Sequence, residues 1–316
     1  MTDISRLLKV ATVSTARALS YKIIAEQICR VNGFRCSIYT LPYLPANIIV
    51  ASQYDIAFWA YHIYHHINHL KFIYMTVEGE FISEYSWAKV KSICEKVRCY
   101  VPTKWGKELV ENHGVKVQDV IPHALPEPIP DPLREKSVSI VYLNAYYSFL
   151  CRRLAVEPCL ECERKGWRWW PEVKRAFSDA LGFVSGYAEV DGAINYSNAS
   201  VEDIYRLLGL GKVYTNLSTH EGFGLNPVMA LAMGTAVVTW DIPVFRETMP
   251  EAVFVPVSTG QKCHVDQRYM LEPGWFIFKW GSIEEFINAV KSAMNMTVDY
   301  ASVRQRYGAK LYTKFF

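Results

Sequence analysis

The run HEGFGLNP (220–227) sets a carboxylate, Glu221, and two glycines, Gly222 and Gly224, just after the apolar segment KVYTNL (212–217) and just before a helical pattern. Backbone amides at such a helix start attract phosphate, and glycine lets the anion approach closely. Elsewhere, His62, His65, His66 and His69 fall at helical spacings of three and four on one stripe. Pairs at i, i+4 could bind zinc, but no nearby acid or cysteine completes a set, so a polar helix face is expected and no metal. Cys159 and Cys162 form a C-x2-C, with Cys151 eight residues earlier. A zinc site would want a second pair, with only Cys263 or His264 loosely available, so zinc, a disulfide clip and free thiols stay open. RKGWRWWPEVKR (164–175) is basic and aromatic, a composition that could touch a membrane surface or a single nucleic-acid strand.

Elements must hold these groups in place. In the first third, LLKVATV (7–13), CSIYTL (36–41), DIAFWAY (55–61), KFIYMTV (71–77) and VRCYV (97–101) read as buried strands. Helical patterns lie between them at about 18–31, 61–70, 85–95 and 104–113. Such alternation means a parallel, doubly wound sheet. IPHALPEPIPDPLREK (121–136), with five prolines, cannot be a central strand or a helix and is the linker. Beyond it strands at 138–143, 181–186, 212–217 and 236–240 alternate with helices near 171–180, 201–209, 225–233, 282–295 and 299–313. The expectation is α/β: two Rossmann-like domains, 1–130 and 131–316, with parallel sheets facing across a cleft. Open α/β sheets bind ligands at the carboxyl ends of their strands, which in the second domain points to Glu221 and the glycine turn.

Bulk properties narrow the function classes. A length of 316 residues suits two domains, and 51% hydrophobic with 21% charged residues suits a compact protein. A net charge of +3 is too balanced for a dedicated nucleic-acid binder. The start MTDISRLLKVATV does not read as a secretory signal, and the uncharged stretch 222–240 reads as a buried helix and strand rather than a span. A cytoplasmic protein is expected, with its eight cysteines as reduced thiols; intracellular disulfides occur in hyperthermophiles.

HEGFGLNPVMALAMGTAVVTWDIPVFRE (220–247) resembles the donor-site segment of family 4 glycosyltransferases of the GT-B fold. VPTKWGKELVENHGVKVQDVIPHAL (101–125) is similar to the stretch closing that family's first domain, and ERKGWRWWPEVKRAF (163–177) to its R-K-G turn and following helix. VEDIYRLLGLGKVYTNLSTHEGFG (201–224) extends the match upstream, and together these cover roughly half the chain in the family's order. Departures are specific. The turn STARALS (14–20) carries no glycine, Phe58 and Ala60 stand where histidines are usual, and the E-x7-E signature has Glu221 but Met229 as its second member.

The resemblance implies a role for each residue. Glu221 would hold hydroxyls of the transferred sugar, while Gly222, Phe223, Gly224 and Leu225 would offer the diphosphate and sugar the glycine turn and its amides. Lys165 and an arginine, Arg152 or Arg153 before Arg164, would neutralise the departing diphosphate. His62 replaces the family's sugar-contacting histidine, and Asn226 is an alternative ribose anchor to Met229. The implied reaction is a retaining transfer of sugar from a nucleoside-diphosphate sugar to a hydroxyl acceptor on a glycan, lipid or protein. It needs neither metal nor cofactor, and no D-x-D occurs, Glu189-Val-Asp191 being the nearest run. No nucleic-acid partner is expected; peripheral membrane contact would suit a lipid-linked acceptor. The alternatives are a degenerate, non-catalytic sugar-binding or scaffold module, favoured by Met229, and a nucleotide-sugar epimerase on the same fold.

Overall fold

The computed structural model describes residues 7–13, 19–39, 46–79, 84–145, 164–185, 190–196, 199–265 and 274–316. The chain packs as two units, one of Met1–Pro126, His264–Trp275 and Tyr307–Phe316, the other of Glu127–Cys263 and Phe276–Arg306. No helix or strand interrupts 121–136.

The first unit carries strands β1 (Leu7–Val13), β2 (Arg35–Tyr39), β3 (Ile48–Ser52), β4 (Phe72–Thr76), β5 (Arg98–Val101) and β6 (Asp119–Val120). They form one parallel sheet in the order β2-β1-β3-β4-β5-β6. Helices α1 (Leu19–Val31), α2 (Gln53–Phe58), α3 (Ala60–His65), α4 (Glu84–Cys94) and α5 (Lys104–Asn112) lie in its connections. Two expectations need correction. DIAFWAY is helix, not strand: the Ser52 hydroxyl accepts the Asp55 N–H and caps α2, which turns Tyr54, Asp55, Ile56 and Ala57 inward. The buried strand is instead IIVAS, just upstream. The helical pattern at 61–70 also ends early, with α3 stopping at His65 and a 3-10 turn following at Ile67–His69.

Four cysteines are not thiols. Cys29 pairs with Cys36 and Cys94 with Cys99, in each case tying the end of a helix to the strand that follows. The expectation of reduced cysteines fails here because it came from compartment statistics, whereas a helix–turn–strand brings such closely spaced residues together. Cys151, Cys159 and Cys162 lie outside the described residues.

His123 gives the first unit an acid sensitivity. It is buried, with its ring nitrogens 2.8 Å from the Tyr74 hydroxyl and 3.2 Å from the Thr76 hydroxyl. Burial pushes its pKa down to about 3. An unfolded histidine titrates near 6.5, so the unfolded chain takes the proton first and stability falls as the pH drops below about 6.5. By about pH 5 the loss from this group should be about 2 kcal/mol. Thermal melts across that range check it, and His123→Gln should flatten the slope; an unchanged slope assigns the sensitivity elsewhere.

The second unit carries β7 (Val138–Ala145), β8 (Leu181–Ser185), β9 (Ala193–Asn195), β10 (Gly211–Asn216), β11 (Ala236–Trp240) and β12 (Val253–Val255). Their parallel order is β12-β11-β10-β7-β8-β9, so the direction of winding reverses between β7 and β10. Helices α6 (Trp170–Ala176), α7 (Val201–Gly209), α8 (Leu225–Ala232), α9 (Pro243–Thr248), α10 (Ile283–Ala293) and α11 (Tyr300–Arg306) accompany them, and β13 (Thr259–Val265) pairs with β14 (Gly274–Trp280) in a small separate sheet. Local sequence explains α7 well: a Ser200–Asp203 capping box opens it, and Ile204, Tyr205 and Leu208 are buried. Lys136 joins the ends of α7 and α8 by donating to the carbonyls of Gly209 (3.0 Å) and Met233 (2.9 Å), where a cation suits the helix dipoles.

The last helical pattern, 299–313, also divides. After Arg306 the chain leaves the second unit, to which residues up to 316 were expected to belong, and forms a 3-10 helix at Ala309–Phe315 in the first. There Phe315 stacks on Phe72 with centroids 4.6 Å apart, and the Tyr312 hydroxyl accepts the Ala124 N–H at 3.0 Å.

Candidate active site

The segment after β10 is buried although it is a loop. Leu217, Ser218, Thr219 and His220 are all inaccessible, and Glu221 emerges half-buried at the reversal point between β7 and β10, where open α/β sheets take ligands. The loop is held from several sides. The Trp240 indole N–H donates to the Leu217 carbonyl (3.2 Å), the Asn144 amide to the Ser218 hydroxyl (2.9 Å), and the Thr248 hydroxyl to the Phe223 carbonyl (2.9 Å).

The turn Arg164–Lys165–Gly166 docks on that loop. The Thr219 N–H donates to the Arg164 carbonyl at 2.8 Å. Gly166 has φ +73°, and a Cβ there would stand 2.3 Å from the Leu217 carbonyl oxygen, so the approach requires glycine twice over. The result brings Lys165, 8% exposed, into an ion pair with Glu221 across 56 residues of sequence. Burial pushes the Glu221 carboxyl up. The charges of Lys165 and Arg164, with hydrogen bonds from Lys165 and Ser218, outweigh burial and hold it below the usual carboxylate range.

Beyond Glu221 the chain passes Gly222 and the buried Phe223 to Gly224, whose φ of +83° ends the turn and starts α8. No side chain caps α8, and Pro227 has no N–H, so the amides of Leu225 and Asn226 are the donors this helix start presents. The Asn226 side-chain Nδ2 donates to the Leu143 carbonyl at 3.1 Å, fastening the helix start to β7 and leaving the backbone N–H to the turn.

Met229 lies in the second turn of α8 and is 3% exposed. A carboxylate there would be buried, so Met229→Glu should cost about 3 kcal/mol and leave nucleotide affinity unchanged. Melting temperature and nucleotide titration check this together; a rise in affinity would instead put a ribose beside residue 229.

The other expected site residues fare differently. Arg152 and Arg153 lie outside the described residues, as do residues 14–18 of the first loop, whereas Arg164 is close enough to act on Glu221. His62 is exposed on α3, its ring 5.5 Å from those of Trp59 and Tyr61, and it comes ten residues after the true strand end at Ser52. The reason for placing it at a strand terminus is therefore lost. Among the described residues no group of three or more His, Cys, Asp or Glu is placed to hold a metal ion. The tryptophans of 164–175 are buried, Trp170 at 1% exposure, so that run is packing rather than a membrane face. Sequence reasoning missed Asn144 and Ser218, which steady the loop; Asn144 near the carboxyl end of a strand was the available signal.

No protein-family model matches the chain, and no curated protein matches it by sequence. Solved structures do match. Sucrose-phosphate synthase from Thermosynechococcus elongatus aligns with a TM-score of 0.60 at 12% identity, over 98% of this chain and 95% of that one. The lipopolysaccharide outer core galactosyltransferase WaaB in its apo form gives 0.54 at 10% identity, over 98% of each chain. A mutant of S. aureus TarM, in complex with fondaparinux, alpha-GlcNAc-glycerol and UDP, gives 0.56 at 12% identity over 85% of this chain. The match covers 54% of that TarM chain, about half its length. At such identities the likeness shows the fold, and the fold is GT-B: two Rossmann-like units, each with a six-stranded parallel sheet.

Proposed function

We propose that this chain is a metal-independent, retaining glycosyltransferase that moves a sugar from a nucleoside-diphosphate sugar to a hydroxyl acceptor. The observation carrying this reading is the Lys165–Glu221 pair at the carboxyl end of β10, beside an uncapped helix start. The diphosphate lies over the amides of Leu225 and Asn226, and Lys165 turns from Glu221 to the phosphate as charge develops on it. Glu221, kept ionised, then accepts hydrogen bonds from the sugar hydroxyls. As the anomeric C–O bond to phosphate breaks, the acceptor oxygen bonds to the same face and its proton passes to a departing phosphate oxygen. Arg164, beside Glu221, takes the part that the family resemblance gives to an arginine.

The aligned TarM was solved with UDP and a GlcNAc-bearing ligand, so UDP-sugars are the first donors to test. A thermal-shift series with nucleoside diphosphates and their sugars should show stabilisation by the diphosphates, followed by sugar release or transfer on longer incubation. Stabilisation without any turnover would leave a binding module instead.

A further inference from the structure

The outer face of α3 and α4 in the first unit gathers exposed aromatic rings. Tyr61 is 70% exposed, Tyr64 46% and Tyr85 65%. Along α4, Tyr85, Lys89, Ser92 and Lys96 recur at steps of four, three and four, which is a single stripe continuing past the helix end. That stripe meets α3: the Lys96 ammonium lies 4.3 Å from the Tyr64 ring centroid and bonds its hydroxyl, while Lys89 lies 4.2 Å from the Tyr85 centroid. Tyr61 adds edge contacts to His62 and His65 at 5.5 and 4.5 Å. The stripe itself carries the two cations Lys89 and Lys96 and no acid; Glu84, Lys91 and Glu95 fall on the neighbouring flank of the segment, where Glu84 lies 3.7 Å from His113.

We infer that this face docks on an anionic lipid bilayer. Every exposed large ring on it is tyrosine, which has an apolar body and a polar tip and settles at headgroup level. The Lys89 and Lys96 ammoniums sit beside those rings, so a ring settled at headgroup level brings its cation to the depth of the lipid phosphates. The other candidate occupants suit it less. Lys89 covers one face of Tyr85 and Lys96 holds the Tyr64 hydroxyl, which weakens both as stacking platforms for nucleobases or sugars. A second copy of the chain would have to bury the Lys89 and Lys96 ammoniums with no carboxylate on the stripe to meet them. Nothing here depends on the transfer reaction, although a surface-bound enzyme would meet lipid-linked acceptors.

The test is co-sedimentation of the full chain with phosphatidylcholine vesicles, and with vesicles in which a third of the lipid is phosphatidylglycerol. Binding to the second and not the first is expected, falling with added salt. Lys89→Ala with Lys96→Ala should weaken it about 25-fold, at about fivefold per lysine near an anionic surface. Tyr61→Ser with Tyr85→Ser should weaken binding while leaving the salt dependence intact. Lys212→Ala, an exposed cation of the second unit, should change nothing. Equal binding to both vesicles, or retention by the lysine variant, overturns the assignment. So does absence of vesicle binding, whether or not the lysine variant loses binding to single-stranded DNA or the tyrosine variant loses a dimer seen by light scattering. Melting temperatures within a degree or so of the parent show that these exposed changes leave the fold intact.

Discussion

Lys165→Ala should lower transfer by about 10²–10³ and weaken nucleoside-diphosphate binding about ten- to a hundredfold, while affinity for the free sugar changes little. The first figure is that of removing one preorganised group facing a developing anion. The second is that of a charge-assisted hydrogen bond in a nearly inaccessible place, as Lys165 is 8% exposed. The sign of a third effect follows from Glu221. Its folded pKa is depressed, so the stability it contributes is present above the ordinary carboxylate range and lost as the pH falls through the folded value. Without Lys165, burial is opposed only by Arg164 and the Ser218 hydrogen bond, and the same carboxyl moves upward from its parent value. The gap in melting temperature between parent and variant should therefore be widest near neutrality and close only as the pH falls through the ordinary carboxylate range and on below it, to the depressed folded value. Titration calorimetry with diphosphate and sugar, and melts against pH, check each part. Equal loss for both ligands, or none, removes Lys165 from the site.

Sequence showed the second unit more clearly than the first because its elements advertise their ends locally. Ser200 with Asp203 opens α7, and AVVTW is a continuous buried strand; both stand where periodicity put them. HEGFG and R-K-G could be read as parts of one site only through resemblance, because 56 residues separate Lys165 from Glu221 and only the packing of Gly166 against Leu217 joins them. In the first unit, the aromatic content of DIAFWAY masks the Ser52 cap signal, and the buried strand is the shorter run IIVAS just upstream. The disulfides join cysteines only seven and five residues apart across a helix–turn–strand, a local signal that compartment statistics hid, whereas the return of Tyr307–Phe316 depends on neighbours remote from any local pattern. Met229 is informative because local reasoning left two outcomes, a ribose contact or core. Its 3% exposure favours core, which leaves Asn226 as the polar side chain at the helix start.

Gly166→Ala is expected to cost about 4 kcal/mol and to disable whatever folds. The left-handed backbone accounts for about 1–2 kcal/mol of that, since φ is +73°. The remainder is steric. The new Cβ would stand 2.3 Å from the Leu217 oxygen, 2.5 Å from its Cβ and 2.8 Å from its carbonyl carbon, and two of those three are backbone atoms. Leu217 cannot step aside cheaply, because its carbonyl also accepts the Trp240 N–H and the next residue, Ser218, is tied to Asn144. The relief available is for the R-K-G turn to lift away, which breaks the Thr219–Arg164 bond and separates Lys165 from Glu221. Gly33→Ala supplies the comparison: φ there is +67°, yet a Cβ would meet nothing within 4 Å, so it should cost only the backbone share. Denaturant melts of the two variants isolate the steric part by subtraction. Diphosphate binding, measured where Gly166→Ala is still folded, then asks whether the turn has lifted. If affinity survives, neither Lys165 nor Arg164 reaches the ligand through this turn, and the site must be rebuilt around the α8 amides.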